Sequence, residues 1–212
     1  EIADDFIHAS IYHPNEILTA IKNYPLKDSI DGVITVAADN PLSVCKVANY
    51  LGLKSLSEET ADISTNKLKM KNTLRKFNVA LPWYKEISSL ENLEDVISSR
   101  PSEYVLKPID SRGSRGVIRI NDLSQYKKAF EYSISNTNSK NLILEEWITG
   151  DQLSSESLVL NKRAYLCGLS DRNYGRLQEL YPYVVEDGGD TPSKHSSYEL
   201  QDRINRLMSN IC

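Results

Sequence analysis

The 212 residues carry 40% hydrophobic and 25% charged side chains, an ordinary globular balance that supports a buried core and one or two domains. A formal net charge of -4 leaves no basic excess for neutralising nucleic-acid phosphates, which argues against a general nucleic-acid binder. No apolar run reaches the roughly 18 residues that span a bilayer, so no membrane association is expected.

Cys45, Cys167 and Cys212 follow neither a CxxC nor a metal-ligand spacing, which suits a reducing, cytoplasmic setting; Cys45 and Cys167 are expected to be buried thiols. In chain order, Ile17, Leu18, Ile21 and Tyr24 fall at helical spacing until Pro25 stops them. Residues 32–38 form a continuous apolar run of strand length, the kind buried on both faces of a parallel sheet. Asp39 and Asn40 follow at the strand's carboxyl end, a frequent ligand position, although helix N-capping ahead of Pro41 is the plainer role. Leu42, Val44, Cys45, Val47, Ala48 and Leu51 continue as a helix that Gly52 closes. Residues 57–64 are polar and acidic and read as a connection. Thr65 and Asn66 then cap a helix through Phe77, with Met70, Leu74 and Phe77 on one face. Lys67 and Lys71 lie one turn apart on another face, where two like charges repel unless solvent or an anion intervenes.

Pro82 ends that helix and leads into a strand at Trp83 and Tyr84, followed by an amphipathic helix over 90–97 and a turn at Pro101. The stretch 104–120 reads as a strand ending at Lys107 and Pro108, a Gly/Ser loop, and a second strand. A lysine at the end of a buried strand, facing Ser111, Gly113, Ser114 and Gly116, is a way to hold an anion; Gly/Ser hairpin loops are also common without any ligand. Asn121 and Asp122 cap a helix with Leu123, Tyr126, Phe130 and Ile134 at core spacing. Residues 142–148 form a strand with two carboxylates near its end, and 153–160 pairs with 164–169 as a hairpin across Asn161 and Lys162. Residues 171–194 are long and irregular, a length typical of functional loops. A final helix over 198–211 places Leu200, Ile204, Leu207, Met208 and Ile211 on one stripe.

The ordered set of Lys67 and Lys71 on a helix, Val105-Leu-Lys-Pro108 with its Gly/Ser loop, Leu144-Glu-Glu-Trp-Ile148, and Gly150-Asp-Gln-Leu-Ser-Ser-Glu156 resembles the ATP-grasp superfamily. The likeness is to its carbamoyl-phosphate synthase-like and biotin carboxylase-like carboxylate–amine ligases and runs over about residues 31–170. It implies an α/β fold with an α+β lid: residues 1–63 as the C-terminal part of a Rossmann-like pre-ATP-grasp domain, and 64–212 as an ATP-grasp domain incomplete at its C-terminus, with the lid at about 80–147.

The resemblance also implies roles. Lys67 is the first ATP-binding lysine with Lys71 as a helper, and Lys107 is the second, reaching the α- and β-phosphates from the lid strand. Ser111, Gly113, Ser114 and Gly116 belong to the flexible phosphate-covering loop, with Arg112 and Arg115 turned to solvent. Glu145 and the Glu146 and Trp147 backbone face the adenine edge, and Ile148 packs on the ring. Gln152 stands where the family has a ribose-binding glutamate, with acidic Glu156 nearby. No catalytic residue is assigned. The cofactors are ATP and Mg²⁺, but the family's acidic strand and Glu-x-Asn pair are expected beyond residue 212. Glu179, Glu186, Asp187 and Asp190 come too early to replace them. The expectation is thus a piece of an ATP-dependent ligase for small-molecule carboxylates and amines, working through an acyl phosphate and inactive alone. A non-catalytic nucleotide-binding or scaffold module is the alternative, and the oligomeric state is not legible.

Overall fold

The computed structural model describes residues 3–36 and 38–211. The chain divides into two units, one up to Met70 and one from Lys71 onward.

In the first unit, α1 (Pro14–Lys22) and α2 (Pro41–Tyr50) each begin with a proline, whose missing N–H costs nothing in a first helical turn. They pack against each other, and Ile21, Cys45, Val47 and Ala48 are buried. The connection expected at 57–64 is instead a helix, α3 (Glu58–Thr65), whose first turn is held by Ser57 accepting the Thr60 N–H at 3.0 Å. Its polar composition hides the one core residue it contributes, Ala61.

Of the strand expected over 32–38, the described residues form none, and Ile34 and Val36 are 83% and 79% exposed. A strand is held by its neighbours' hydrogen bonds, and no other strand exists among the described residues of this unit. Ala37 lies outside the described residues. The described residues of this unit form helices and connections. Asn40 stands at the N-cap position without capping; its amide donates to the Ile11 carbonyl at 3.1 Å, and its oxygen accepts from Thr35.

A further helix, α4 (Lys67–Lys76), runs across the boundary between the units, with Asn66 accepting the Leu68 and Lys69 N–H groups. The second unit opens with a four-stranded antiparallel sheet in the order β1-β4-β2-β3, formed by Tyr84–Ile87, Leu142–Glu146, Tyr104–Pro108 and Ile118–Ile120. Period-two alternation gives this sheet two different faces. Ile87, Tyr104, Leu106, Ile118, Ile120, Leu142 and Leu144 point to one side, where α5 (Leu90–Ser99) supplies Leu93 and Ile97, and α6 (Tyr126–Ile134) supplies Ala129. Val105, Lys107, Ile143 and Glu145 alternate with them and take the other side.

A second sheet contains β5 (Gln152–Leu160), β6 (Arg163–Asn173) and β7 (Gly188–Asp190). Asn161 and Lys162 both have positive φ, 51° and 63°, the geometry of a two-residue hairpin turn that matches strand twist. A bulge opposite Glu156 and Ser157 leaves Cys167 out of register and exposed, correcting the expectation of a buried thiol. Native-state maleimide labelling followed by peptide mapping is expected to modify Cys167 readily and Cys45 slowly. Burial raises the Cys45 pKa and so removes thiolate.

The last helix, α7 (Tyr198–Ile211), lies on β6. Its apolar stripe is only half-buried and Leu207 is exposed. What ties it down is polar: Ser209 Oγ and Asn205 Oδ1 accept the Ala164 and Leu166 N–H groups. The region expected to be irregular, 171–194, crosses to the first sheet. There the Arg119 N–H donates to the Pro182 carbonyl at 2.8 Å, and the Tyr183 ring meets Tyr132 edge-on at 5.1 Å.

Candidate functional site

The polar face of the first sheet holds a buried charge cluster. Glu145, near the end of β4, is 5% exposed. Its Oε2 lies 3.2 Å from the Lys71 ammonium and its Oε1 lies 2.9 Å from that of Lys107. Lys107 reaches it diagonally from the neighbouring strand, one side-chain repeat beyond Val105, which is Glu145's direct partner. Lys71 comes from α4, is 9% exposed, and rests 5.6 Å from the centre of the Tyr84 ring, with Arg75 on the same ring at 4.4 Å. A lysine is rarely buried unless paired, and here the carboxylate and the aromatic face are what permit it. The Oε1–Lys107 contact is an ion pair without hydrogen-bond alignment, so that oxygen remains a buried acceptor with no hydrogen bond.

Lys71 is thus the helical lysine brought to Glu145, whereas the sequence pointed first to Lys67. Lys67 is half-buried in the opening turn of α4, in the first unit. The helical repeat placed both lysines on one face, and only tertiary packing separates their surroundings.

The segment after β4 is gripped from both neighbouring strands. On one side Arg100 stacks 4.5 Å from the Trp83 ring and donates to Glu146 at 2.9 Å, while the Glu146 N–H donates to the Trp83 carbonyl. On the other, Arg119 stacks 4.4 Å from the Trp147 ring and donates to Glu103 at 2.6 Å, while the Trp147 N–H donates to the Glu103 carbonyl. The backbone donors of Glu146 and Trp147 are therefore committed, so these residues have only carbonyls to turn toward a ring edge. Ile148 follows at 66% exposure, its side chain open to an incoming surface.

The Gly/Ser loop is anchored at each end. Asp110 accepts the Asn138 and Ser139 N–H groups, and the Gly116 carbonyl accepts a 2.8 Å hydrogen bond from buried Ser133. Between them Gly113, Ser114 and Gly116 take positive φ values of 62°, 57° and 74°, and Ser111 Oγ donates across the loop to the Arg115 carbonyl. Arg115 is exposed as expected, but Arg112 is half-buried.

Gln152 opens β5 in the other sheet. It lines a cleft of about 400 Å³ with Asp151, Asp171, Arg172, Tyr174, Asp187 and Lys194. Glu156 is exposed. Another cleft, of about 570 Å³, lies beside α7, and neither cleft is lined by Lys71, Lys107 or Glu145. The acidic residues of the crossing segment already have partners: Glu186 meets Arg172, Glu179 meets Arg176, Asp187 accepts the Arg176 N–H, and Asp190 accepts from Asn173. Among the described residues no three carboxylate, imidazole or thiolate side chains converge on a metal site.

Buried Asp171 accepts from the Ser193 hydroxyl and the Lys194 N–H, and the hydroxyl bond holds its pKa below the ordinary carboxylate value against the opposing effect of burial. Its stabilising contribution is complete above the unfolded pKa of about 3.9 and is lost as pH falls through the lower folded value. Melting curves at successive pH values below about 5 are expected to show a shallower decline for Asp171→Asn than for the unaltered chain.

A family model described as ATP-grasp domain matches residues 64–212. Comparison with curated proteins finds no match. Solved structures share the fold at low identity. L-amino acid ligase from Bacillus licheniformis is 18% identical, with a TM-score of 0.74 over 94% of this chain and 45% of its own. Carboxyaminoimidazole ribonucleotide synthase from Aspergillus clavatus, complexed with ATP, is 14% identical, with a TM-score of 0.74 over 100% of this chain and 52% of its own. Phosphoribosylglycinamide synthetase from Anaerococcus prevotii is 17% identical, with a TM-score of 0.66 over 99% of this chain and 50% of its own. The chain spans about half the length of these solved proteins.

Proposed function

Because the chain belongs to the ATP-grasp family, we propose that it is the ATP-binding part of an ATP-dependent carboxylate–amine ligase. Residues 64–212 are the family domain, about 80–147 its lid, and 1–63 the end of the preceding domain. The observation that carries this reading is the cluster of buried Lys71 and Glu145 with half-buried Lys107, placed just before a segment whose backbone is held from both sides. Two ammonium groups in a largely dry setting act on phosphate far more strongly than they would in water.

Lys71 and Lys107 take the phosphate chain, and Lys67 holds the place of the family's first ATP-binding lysine. Ser111, Gly113, Ser114 and Gly116 cover it. Glu145 with the Glu146 and Trp147 carbonyls faces the adenine edge, Ile148 lies against the ring, and Gln152 contacts the ribose. The chemistry supported is transfer of the terminal phosphoryl group to a carboxylate, followed by displacement of phosphate from the acyl phosphate by an amine. Positioning and charge stabilisation are the protein's share of such a reaction. Among the described residues no magnesium cage is formed, and no step of this scheme is assigned to a metal. No helix among the described residues is long and apolar enough to cross a membrane, and Cys45 and Cys167 are free thiols, which supports a reducing, cytoplasmic setting.

Calorimetric titration with ATP tests this reading. Saturable binding that tripolyphosphate competes away is the expected result, and no heat up to millimolar ATP would overturn it. Binding without turnover, whatever carboxylate and amine are supplied, would favour a non-catalytic nucleotide-binding module.

A further inference from the structure

Lys71 and Lys107 face the same carboxylate, so this cluster, with Lys71 and Glu145 buried and Lys107 22% exposed, holds two positive charges against one negative. A buried charge excess is costly unless another anion joins it or water reaches it. The neighbouring acids supply no such relief. Glu146 is engaged by Arg100 and Glu103 by Arg119. Glu145 itself holds Lys107 by charge alone, through an oxygen that is buried and makes no hydrogen bond. A carboxylate held in that way is well placed to let go, because releasing it breaks one aligned contact at most.

We propose that Glu145 is an internal occupant of the phosphate cradle, holding Lys71 and Lys107 until a polyphosphate chain displaces it. This rests on the nucleotide reading and adds a competitor built into β4. The competition makes the cradle selective by charge. A ligand must offer the two ammonium groups more negative charge than one carboxylate already does, so a triphosphate gains where a monophosphate gains little.

Titration of the full chain with tripolyphosphate, which has no base or ribose, isolates the cradle. Glu145→Gln and Glu145→Asp are each expected to bind it at least about ten-fold more tightly than the unaltered chain, the equivalent of one aligned charge-assisted contact released from competition. The aspartate variant decides between competition and net charge, since it keeps the charge but is one methylene too short to bridge both lysines. Glu86→Gln, on the neighbouring strand and outside the cluster, is expected to change affinity less than about two-fold if bare charge is not responsible. Should either Glu145 variant fail to fold, carboxyl carbon NMR of the unaltered chain gives the answer. The Glu145 resonance is expected to shift on adding tripolyphosphate, and an unmoved resonance overturns the proposal. Equal or weaker tripolyphosphate binding by Glu145→Asp, while ATP still binds, overturns this inference and leaves the nucleotide reading standing. Absence of binding by every form to both ligands overturns both.

Discussion

Lys107→Met is expected to weaken ATP binding by roughly 10- to 150-fold, the loss of one charge-assisted contact worth about 1.5–3 kcal/mol. Lys71→Met should do the same, although the sequence motif placed Lys67 ahead of it. The two variants differ from ordinary ligand-contact mutations because each also removes a contact within the protein itself. Removing one lysine leaves Glu145 with the other, so the cost in stability should stay near about 1–2 kcal/mol, on the order of a hydrogen bond to a charged group. Removing both strands a carboxylate that is 5% exposed, and the cost should then approach about 3–5 kcal/mol, the usual penalty for breaking a buried pair. Adding Glu145→Gln to that double variant should recover much of the stability and none of the ATP affinity. Denaturant unfolding and calorimetry, run side by side, separate these effects. An unchanged ATP affinity in Lys107→Met would remove the lysine pair from the site.

Gly116→Ala is expected to be the most damaging single methyl group added to the Gly/Ser loop. The residue has φ of 74°, and a Cβ there would sit 2.7 Å from the Pro108 ring and 2.8 Å from the Asn136 Cβ. Neither neighbour is the free end of a flexible side chain. The backbone conformation contributes about 1–3 kcal/mol and the overlap a similar amount, so about 2–6 kcal/mol in all. Gly113→Ala is the matched control: its φ of 62° is also left-handed, but nothing lies within 4 Å of the added methyl. It should show only the backbone cost of about 1–2 kcal/mol. Thermal melts of both variants check the difference, and equal losses would mean that the contacts with Pro108 and Asn136 are soft.

What could be read from the sequence was what local periodicity encodes. The alternation through Tyr104, Val105, Leu106 and Lys107, and through Leu142 to Glu145, belongs to strands with one apolar face, and both strands are present. The Asn161-Lys162 turn and the α7 repeat were legible for the same reason. The run at 32–38 misled because hydrophobicity reports a wish for burial and says nothing of which strand will lie alongside. The α3 helix was missed because its charged surface outweighs one alanine and a serine cap. In the charge cluster, Lys107 stood out from its position at a strand end, whereas Lys71 could not be ranked above Lys67. The difference between those lysines is set by Glu145, more than seventy residues away in sequence. The stacked arginines, Arg100 and Arg119, left no local signal at all, since each depends on a tryptophan brought in from another strand or connection.

Those two arginine–tryptophan contacts have a thermodynamic consequence for ligand recognition. A linker that must settle as a ligand arrives loses conformational freedom at that moment and weakens association accordingly. Here Glu146 and Trp147 are fixed through both backbone and side chain while the protein folds, so their loss of freedom is already part of the native state. Binding at this edge should therefore carry a small entropic penalty. Loosening either stack should appear as a less favourable binding entropy before any change in the contacts themselves.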